Sequence, residues 1–304
     1  MAEANIPISH NDFQRISDKV ILFGDNSTGK SFCIATLLKD CPEDRRIIYL
    51  MTERNAVSGL QRGLEHYNVT VEPGQLIYAF PKRKDKAFVN LQRATKAFQK
   101  ETKVSGLKGK PDTTQGKEHY SYFSAIFDKL EAFTGIDYVT GETVNVGNVG
   151  DLDLSDILIT DGLSPIFTEV WKLTQGDKIA ISQTDYMPAQ LVMNDIFQNL
   201  GSIECPVILM AHEKQIHDEK GNVINTIVNT GTGVAMYSTY MGCFTEIIHC
   251  YRFGTKYLWE CERDKVACNS RSMPKETNLI PDFRLYNLFG NRGTYVEKKD
   301  KLKV

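Results

Sequence analysis

Residues 20–31 read Val-Ile-Leu-Phe-Gly-Asp-Asn-Ser-Thr-Gly-Lys-Ser. Val20 to Phe23 has the apolar character of a short buried strand. Gly24 to Ser31 satisfies Gly-x-x-x-x-Gly-Lys-Ser/Thr at every fixed position. The residues that follow favour a helix as far as Lys39, and Cys41-Pro42 stops it, because proline disfavours helical geometry in the residue before it. The pattern is therefore strand, glycine loop, helix, and chance gives such a match in roughly one chain in a hundred of this length. In that setting glycines let backbone N–H groups turn inward on a phosphate at the positive end of a helix dipole. Lys30 is then placed to reach the β- and γ-phosphates of ATP, and Ser31 to put its hydroxyl on Mg²⁺. The nucleotide-contacting stretch is expected to comprise Gly24, Asp25, Asn26, Ser27, Thr28, Gly29, Lys30, Ser31 and Phe32. Asp25 is an acid inside a loop suited to anions, which is harmless if its side chain points outward.

Outward from this loop, apolar runs at Ile47–Met51 and Leu76–Phe80 read as further strands, and Val57, Leu60, Leu64 and Tyr67 fall at helical spacing between them. The same alternation returns at Ile157–Asp161, in helices carrying Ile166, Val170 and Leu173 and then Val192, Ile196 and Leu200, and at Val207–Ala211. Short buried strands alternating with amphipathic helices predict an α/β fold with a mainly parallel sheet covered on both faces. Glu246–Tyr251 and Tyr257–Glu262, joined across Gly254, predict antiparallel strands closing the sheet. Residues of about 81–150 read as an inserted helical and loop region. It has one helix near Phe88, Leu91 and Phe98, a second over Tyr120–Leu130, and a hairpin at Tyr138–Val144. Residues 213–242, polar and rich in Gly, Thr and Asn, read as a long loop or hairpin. The organisation expected is one domain over 1–304, with a charged tail from about 289 to 304.

The 304 residues are 41% hydrophobic and 24% charged, which excludes wholesale disorder. Lys and Arg number 36 against 38 Asp and Glu, a net charge of −2, so any nucleic-acid contact must come from a local patch. The opening residues lack a basic start followed by an apolar run, and no stretch approaches the roughly 18 apolar residues of a membrane span. A soluble, cytoplasmic protein without membrane contact is expected. Seven cysteines without a Cys-x-x-Cys pair read as free thiols, with a metal or a disulfide at Cys250 and Cys261 the residual alternative.

Three further polar residues fall at strand ends. Asp161 closes an apolar run and precedes a glycine, which suits an acid holding a magnesium water shell; it equally suits a helix N-cap, and the two roles are compatible. Glu53 stands just past the second strand and is a candidate to orient or deprotonate water, or else a solvated glutamate in the first helical turn. His212 follows directly on the Val207–Ala211 strand, and a lone histidine there is more often a core or surface residue than a catalytic one.

Taken together, GDNSTGKS, a glutamate after the next strand, ILITDG and VILMAHEK resemble the RecA-like P-loop ATPases, in particular the compact phage-encoded members that act on single-stranded DNA. The resemblance covers about residues 18–80 and 155–285. It implies that Glu53 is the general base, that Asp161 holds Mg²⁺, and that His212 replaces the polar residue, often glutamine, that senses the γ-phosphate. It implies further that Lys265 and Arg271 serve a neighbouring subunit's ATP in a homo-oligomeric ring or filament. The function so implied is ATP-driven recombination, annealing or replication on single-stranded DNA, with a single-strand-binding protein as a further candidate partner. A P-loop motor or switch acting on protein, of packaging or clock type, and a non-hydrolysing nucleotide-binding protein are the alternatives.

Charge gives DNA a weaker, independent signal. Residues 81–118 hold eleven basic and four acidic side chains, a local +7, beginning with Lys82, Arg83, Lys84 and Lys86. Such a strip can track phosphates, and it equally describes a solvated helix and loop. After His212, Lys214 and Lys220 are candidate phosphate contacts, and Tyr237 and Tyr240 are either base-stacking platforms or core.

Overall fold

The computed structural model describes residues 19–42, 45–53, 55–81, 120–175, 183–231, 237–261, 265–270, 276–278 and 285–289. In chain order these form β1 (Lys19–Phe23), α1 (Ile34–Asp40), β2 (Arg46–Met51), α2 (Asn55–Tyr67), β3 (Leu76–Ala79), α3 (Tyr120–Glu131), β4 (Phe133–Asp137) and β5 (Thr143–Gly147). There follow β6 (Asp156–Asp161), α4 (Leu163–Gln175), α5 (Gln183–Ser202), β7 (Val207–Ala211), β8 (Glu213–His217), β9 (Val223–Val228), α6 (Tyr237–Met241), β10 (Glu246–Phe253), β11 (Lys256–Glu260) and β12 (Glu276–Asn278).

Ten strands make one sheet in the order β12-β11-β10-β1-β7-β6-β2-β3-β4-β5. The six from β10 to β3 run parallel, and antiparallel strands extend both edges. The expected α/β architecture is present, with the β10–β11 pair where the sequence places it. Residues 133–147, read as part of an insertion, instead lengthen the sheet beyond β3. The hairpin read at Tyr138–Val144 is only its tip, since the paired strands flank that turn. The helix near Phe88, the basic residues Lys82, Arg83, Lys84 and Lys86, Arg271 and the tail beyond 289 lie outside the described residues.

The central strands are apolar throughout because both faces are covered, and alternate side chains serve opposite layers. In β2, Ile47, Tyr49 and Met51 pack with Leu37 of α1 and Leu60 of α2. Ile48 and Leu50 pack with Ile166 of α4 and Phe197 of α5. Each fully buried Ile or Leu contributes about 1.5–3 kcal/mol relative to exposure, so the two layers fix which face every strand presents. Lys19 is buried at the start of β1, and its ammonium is satisfied by the carbonyls of Ile203 and Cys205. At the same sheet edge Arg46 forks onto Asp156 at 2.8 and 3.1 Å, tying β2 to β6. The opposite edge, where the parallel strands end, is left for loops; in open α/β sheets ligands bind there.

None of the seven cysteines forms a disulfide, as expected, and no such bond joins Cys250 to Cys261. No described helix is long and apolar enough to cross a membrane.

Candidate functional site

Register sets the site. Met51 of β2 pairs with Asp161 of β6, Asp161 with Met210 of β7, and Met210 with Leu22 of β1. The loop after β1, Glu53, Asp161 and His212 therefore emerge at one level.

The glycine loop begins at Gly24, whose N–H donates to the carbonyl of Ala211 at 3.3 Å. A Cβ at Gly24 would sit 1.9 Å from the carbonyl oxygen of Cys250 on β10, so only glycine allows the chain to turn there. Lys30 is nearly buried, and its ammonium donates into the loop itself: to the carbonyls of Gly24 at 2.9 Å and Asp25 at 2.8 Å, and to Thr28 Oγ1 at 3.3 Å. A cation is thus held at the centre of a curl of backbone that precedes a helix. Asp25 is exposed, and its carboxylate accepts the N–H of Asn26 at 2.7 Å, so the acid points away from the interior of the loop. Phe32 packs its ring against His66, Tyr67 and Tyr257.

Ser31 Oγ donates to Asp161 Oδ2 at 2.7 Å, and the hydroxyl of Tyr49 donates to the same oxygen at 2.7 Å. Burial raises the Asp161 pKa, and the two hydroxyl donors partly offset that. Tyr49 is fully buried, and its own pKa is driven well up by burial and by the neighbouring carboxylate. A serine hydroxyl beside a carboxylate is a hard oxygen pair of the kind Mg²⁺ uses, since that ion takes only one or two protein ligands and fills its octahedron with water and substrate phosphate.

Glu53 and His212 follow strands that flank β6, and they meet above it: Nε2 of His212 donates to Glu53 Oε1 at 3.1 Å. The contact passes over Gly162. This residue has φ +93°, and a Cβ there would fall 2.3 Å from Thr52 Oγ1 and 2.7 Å from Glu53 Cγ. Thr52 Oγ1 donates to the carbonyls of Asp161 and Gly162, which locks the end of β2 to the end of β6. The hydrogen bond from His212 holds the Glu53 pKa below the ordinary carboxylate range, burial opposes it, and Lys30 adds a smaller lowering.

No protein-family model matches the chain, and no curated protein matches it.

Beyond His212 the polar stretch forms the antiparallel hairpin β8–β9. Lys214 and Lys220 are exposed on it, with Asp218 and Glu219 at the tip; the Asp218 carboxylate accepts N–H groups of Lys220 and Asn222. Tyr240 is a core residue, stacked on Phe197 with its hydroxyl donating to Gln190, and Tyr237 is half-buried and donates to Ala267. Neither tyrosine presents a stacking platform. The backbone of residues 265–269 is paired, while Lys265 and Asn269 are exposed. Lys265 accepts from Thr226 N–H at 2.7 Å, Val266 bridges to Thr226 and Asn269 to Ile247, so the segment runs back along the hairpin and β10.

A cleft of about 450 Å³ lies between the glycine loop and this hairpin, and Asp25, Asn26, Thr28, Glu213, Gln215, His249, Arg252 and Lys265 line it. At its base the imidazole of His249 joins two carboxylates, Nδ1 to Glu260 at 2.5 Å and Nε2 to Glu213 at 2.9 Å. Burial disfavours the imidazolium, and the two acids outweigh burial, so the His249 pKa is raised. Tyr49, Thr52, Gly162, Glu213, His249 and Glu260 are the site residues that sequence reasoning missed. The signal available for two of them was a lone polar group inside an apolar run, Tyr49 in Ile-Ile-Tyr-Leu-Met and His249 in Glu-Ile-Ile-His-Cys-Tyr.

Proposed function

We propose that the chain is a Mg²⁺-dependent ATPase of RecA-like type that acts on single-stranded DNA. The observation that carries the reading is the convergence of Lys30, Ser31, Asp161, Glu53 and His212 at one level of the sheet edge. The strand order supports the RecA-like core, because β7, which His212 directly follows, lies between the loop strand and the Asp161 strand. In this mechanism loop N–H groups and Lys30 bind the β- and γ-phosphates, the ammonium exchanging loop carbonyls for phosphate oxygens. Ser31 and Asp161 would hold Mg²⁺, which neutralises charge on those oxygens when bound. Glu53 takes a proton from water as the water oxygen bonds to the γ-phosphorus. The bond from that phosphorus to the β–γ bridging oxygen breaks, giving ADP and phosphate.

His212 contacts Glu53 before nucleotide arrives and is placed to turn to a γ-phosphate oxygen, releasing the carboxylate for water. The hairpin that starts at the next residue would carry this change to DNA through Lys214 and Lys220, with Lys82, Arg83, Lys84 and Lys86 as further phosphate contacts. In the same proposal the subunits form a ring or filament in which Lys265 and Arg271 neutralise developing charge on γ-phosphate.

The test is phosphate release with and without single-stranded DNA. Stimulation by DNA supports the reading. Turnover indifferent to DNA moves the chain to motors and switches that act on protein, and absence of turnover removes the enzyme.

A further inference from the structure

His249 sits where three separate pieces of chain meet. Its two ring nitrogens reach Glu260 on β11 and Glu213 at the root of the β8–β9 hairpin, while its ring lies 5.0 Å from Phe23 and is stacked at 5.7 Å on Tyr251. Both nitrogens face carboxylates, so both donate, and only a side chain with N–H groups at opposite ends can bridge the two acids in this way. Asp25, Arg252 and Lys265 are the other charged groups that line the same cleft.

Glu213 is bonded covalently to His212, and the carbonyl of His212 accepts the N–H of Asn229 at the end of the hairpin. The backbone carrying the His212 ring is therefore pinned on one side by the hairpin and on the other by the Glu213–His249–Glu260 bridge. A continuous path results: Glu53 to His212 by hydrogen bond, His212 to Glu213 by the chain, Glu213 to Glu260 through His249. Partners that orient a metal ligand typically matter by about 10–100-fold when removed, and an effect of the same order is expected for one that orients a side chain beside the reacting water.

We propose that His249 is a positioning residue for hydrolysis: by tying Glu213 to Glu260 it fixes the backbone that presents His212 to Glu53. The proposal rests on the reading of Glu53 as the group that activates water.

The experiment compares the full-length protein with His249→Gln, Glu213→Gln, Glu53→Gln and the double variant His249→Gln with Glu53→Gln. It measures kcat from phosphate release and Kd for ATP by titration calorimetry. Each bridge variant should lower kcat by roughly tenfold and leave Kd within about twofold. In the Glu53→Gln background, His249→Gln should change the residual rate by less than about twofold, because the two act through one group. An unchanged kcat in both bridge variants overturns the proposal, and so does a tenfold loss that persists when Glu53 is already replaced. If His249→Gln does not fold, Glu213→Gln, on the more exposed side of the bridge, decides alone. If the unaltered protein releases no phosphate, the reading of the whole site falls and this role with it. If it turns over and both bridge variants match it, only the role of His249 falls.

Discussion

His212 and Glu53 stand 159 positions apart in the chain, and Nε2 of one lies 3.1 Å from Oε1 of the other. The bond is the largest influence on Glu53 and keeps its carboxylate ionised to lower pH than an unpaired glutamate. A general base must be ionised to accept a proton, so removing His212 should raise the Glu53 pKa. The acid limb of kcat/KM, which reports the free enzyme, should then move to higher pH. The check is the pH profile of His212→Ala against the unaltered protein. A limb that stays in place means the pair does not govern the base.

Tyr49 adds a second buried partner to Asp161. Hydrogen bonds to charged groups contribute about 1.5–3 kcal/mol, and Tyr49→Phe removes one while keeping the ring and its packing. The variant should lose stability on that scale in urea, and it should need roughly tenfold more Mg²⁺ for half-maximal turnover. An unchanged Mg²⁺ requirement would leave Tyr49 a purely structural residue.

Two glycines separate folding from function. At Gly24 a methyl group meets backbone, the Cys250 carbonyl, which cannot move without displacing β10. Gly24→Ala should destabilise by at least the 1–3 kcal/mol typical of overpacking, or about as much as a marginal fold can lose. At Gly162 the methyl meets side chains, Thr52 Oγ1 and Glu53 Cγ, on a backbone with positive φ. Gly162→Ala should fold, with a cost of about 1–2 kcal/mol, and should lose turnover because Glu53 is pushed from His212. Chemical denaturation and phosphate release on the two variants distinguish these outcomes.

Lys265 lines the cleft beside the glycine loop of its own chain, and in the proposed assembly it serves the nucleotide of the next. Mixing Lys30→Ala subunits with Lys265→Ala, Arg271→Ala subunits tests this directly. Recovery of ATPase activity in mixed oligomers places the cations across the interface. If mixed oligomers form and nothing returns, the cations act within one chain or not at all.

The glycine loop was legible because all its fixed positions fall between Gly24 and Ser31, and Asp161, Glu53 and His212 because each ends or closely follows an apolar run. Their meeting was not, since it depends on β7 inserting beside β1 and on β6 lying between β7 and β2, an order no local spacing encodes. Tyr49 and His249 were hidden among apolar neighbours that mark only a buried strand. Tyr240 could not be decided from a polar stretch that suits a base-stacking ring and a core ring equally; Phe197 and the carbonyl of Gln190 take it into the core. The strands at 133–137 and 143–147 escaped because each is only five residues long and carries a glycine, which weakens the alternation that identifies a strand.

The central claim is a division of labour, in which Lys30 contacts phosphate in the ground state and Glu53 acts only on water. It is tested most directly by measuring ATP binding and phosphate release together on the unaltered protein, Lys30→Ala and Glu53→Gln. The account predicts that the unaltered protein turns over ATP, that Lys30→Ala loses binding, and that Glu53→Gln binds ATP normally while hydrolysis drops by about 10²–10⁴. Glu53→Gln releasing phosphate at the unaltered rate, or Lys30→Ala binding ATP undiminished, would contradict it.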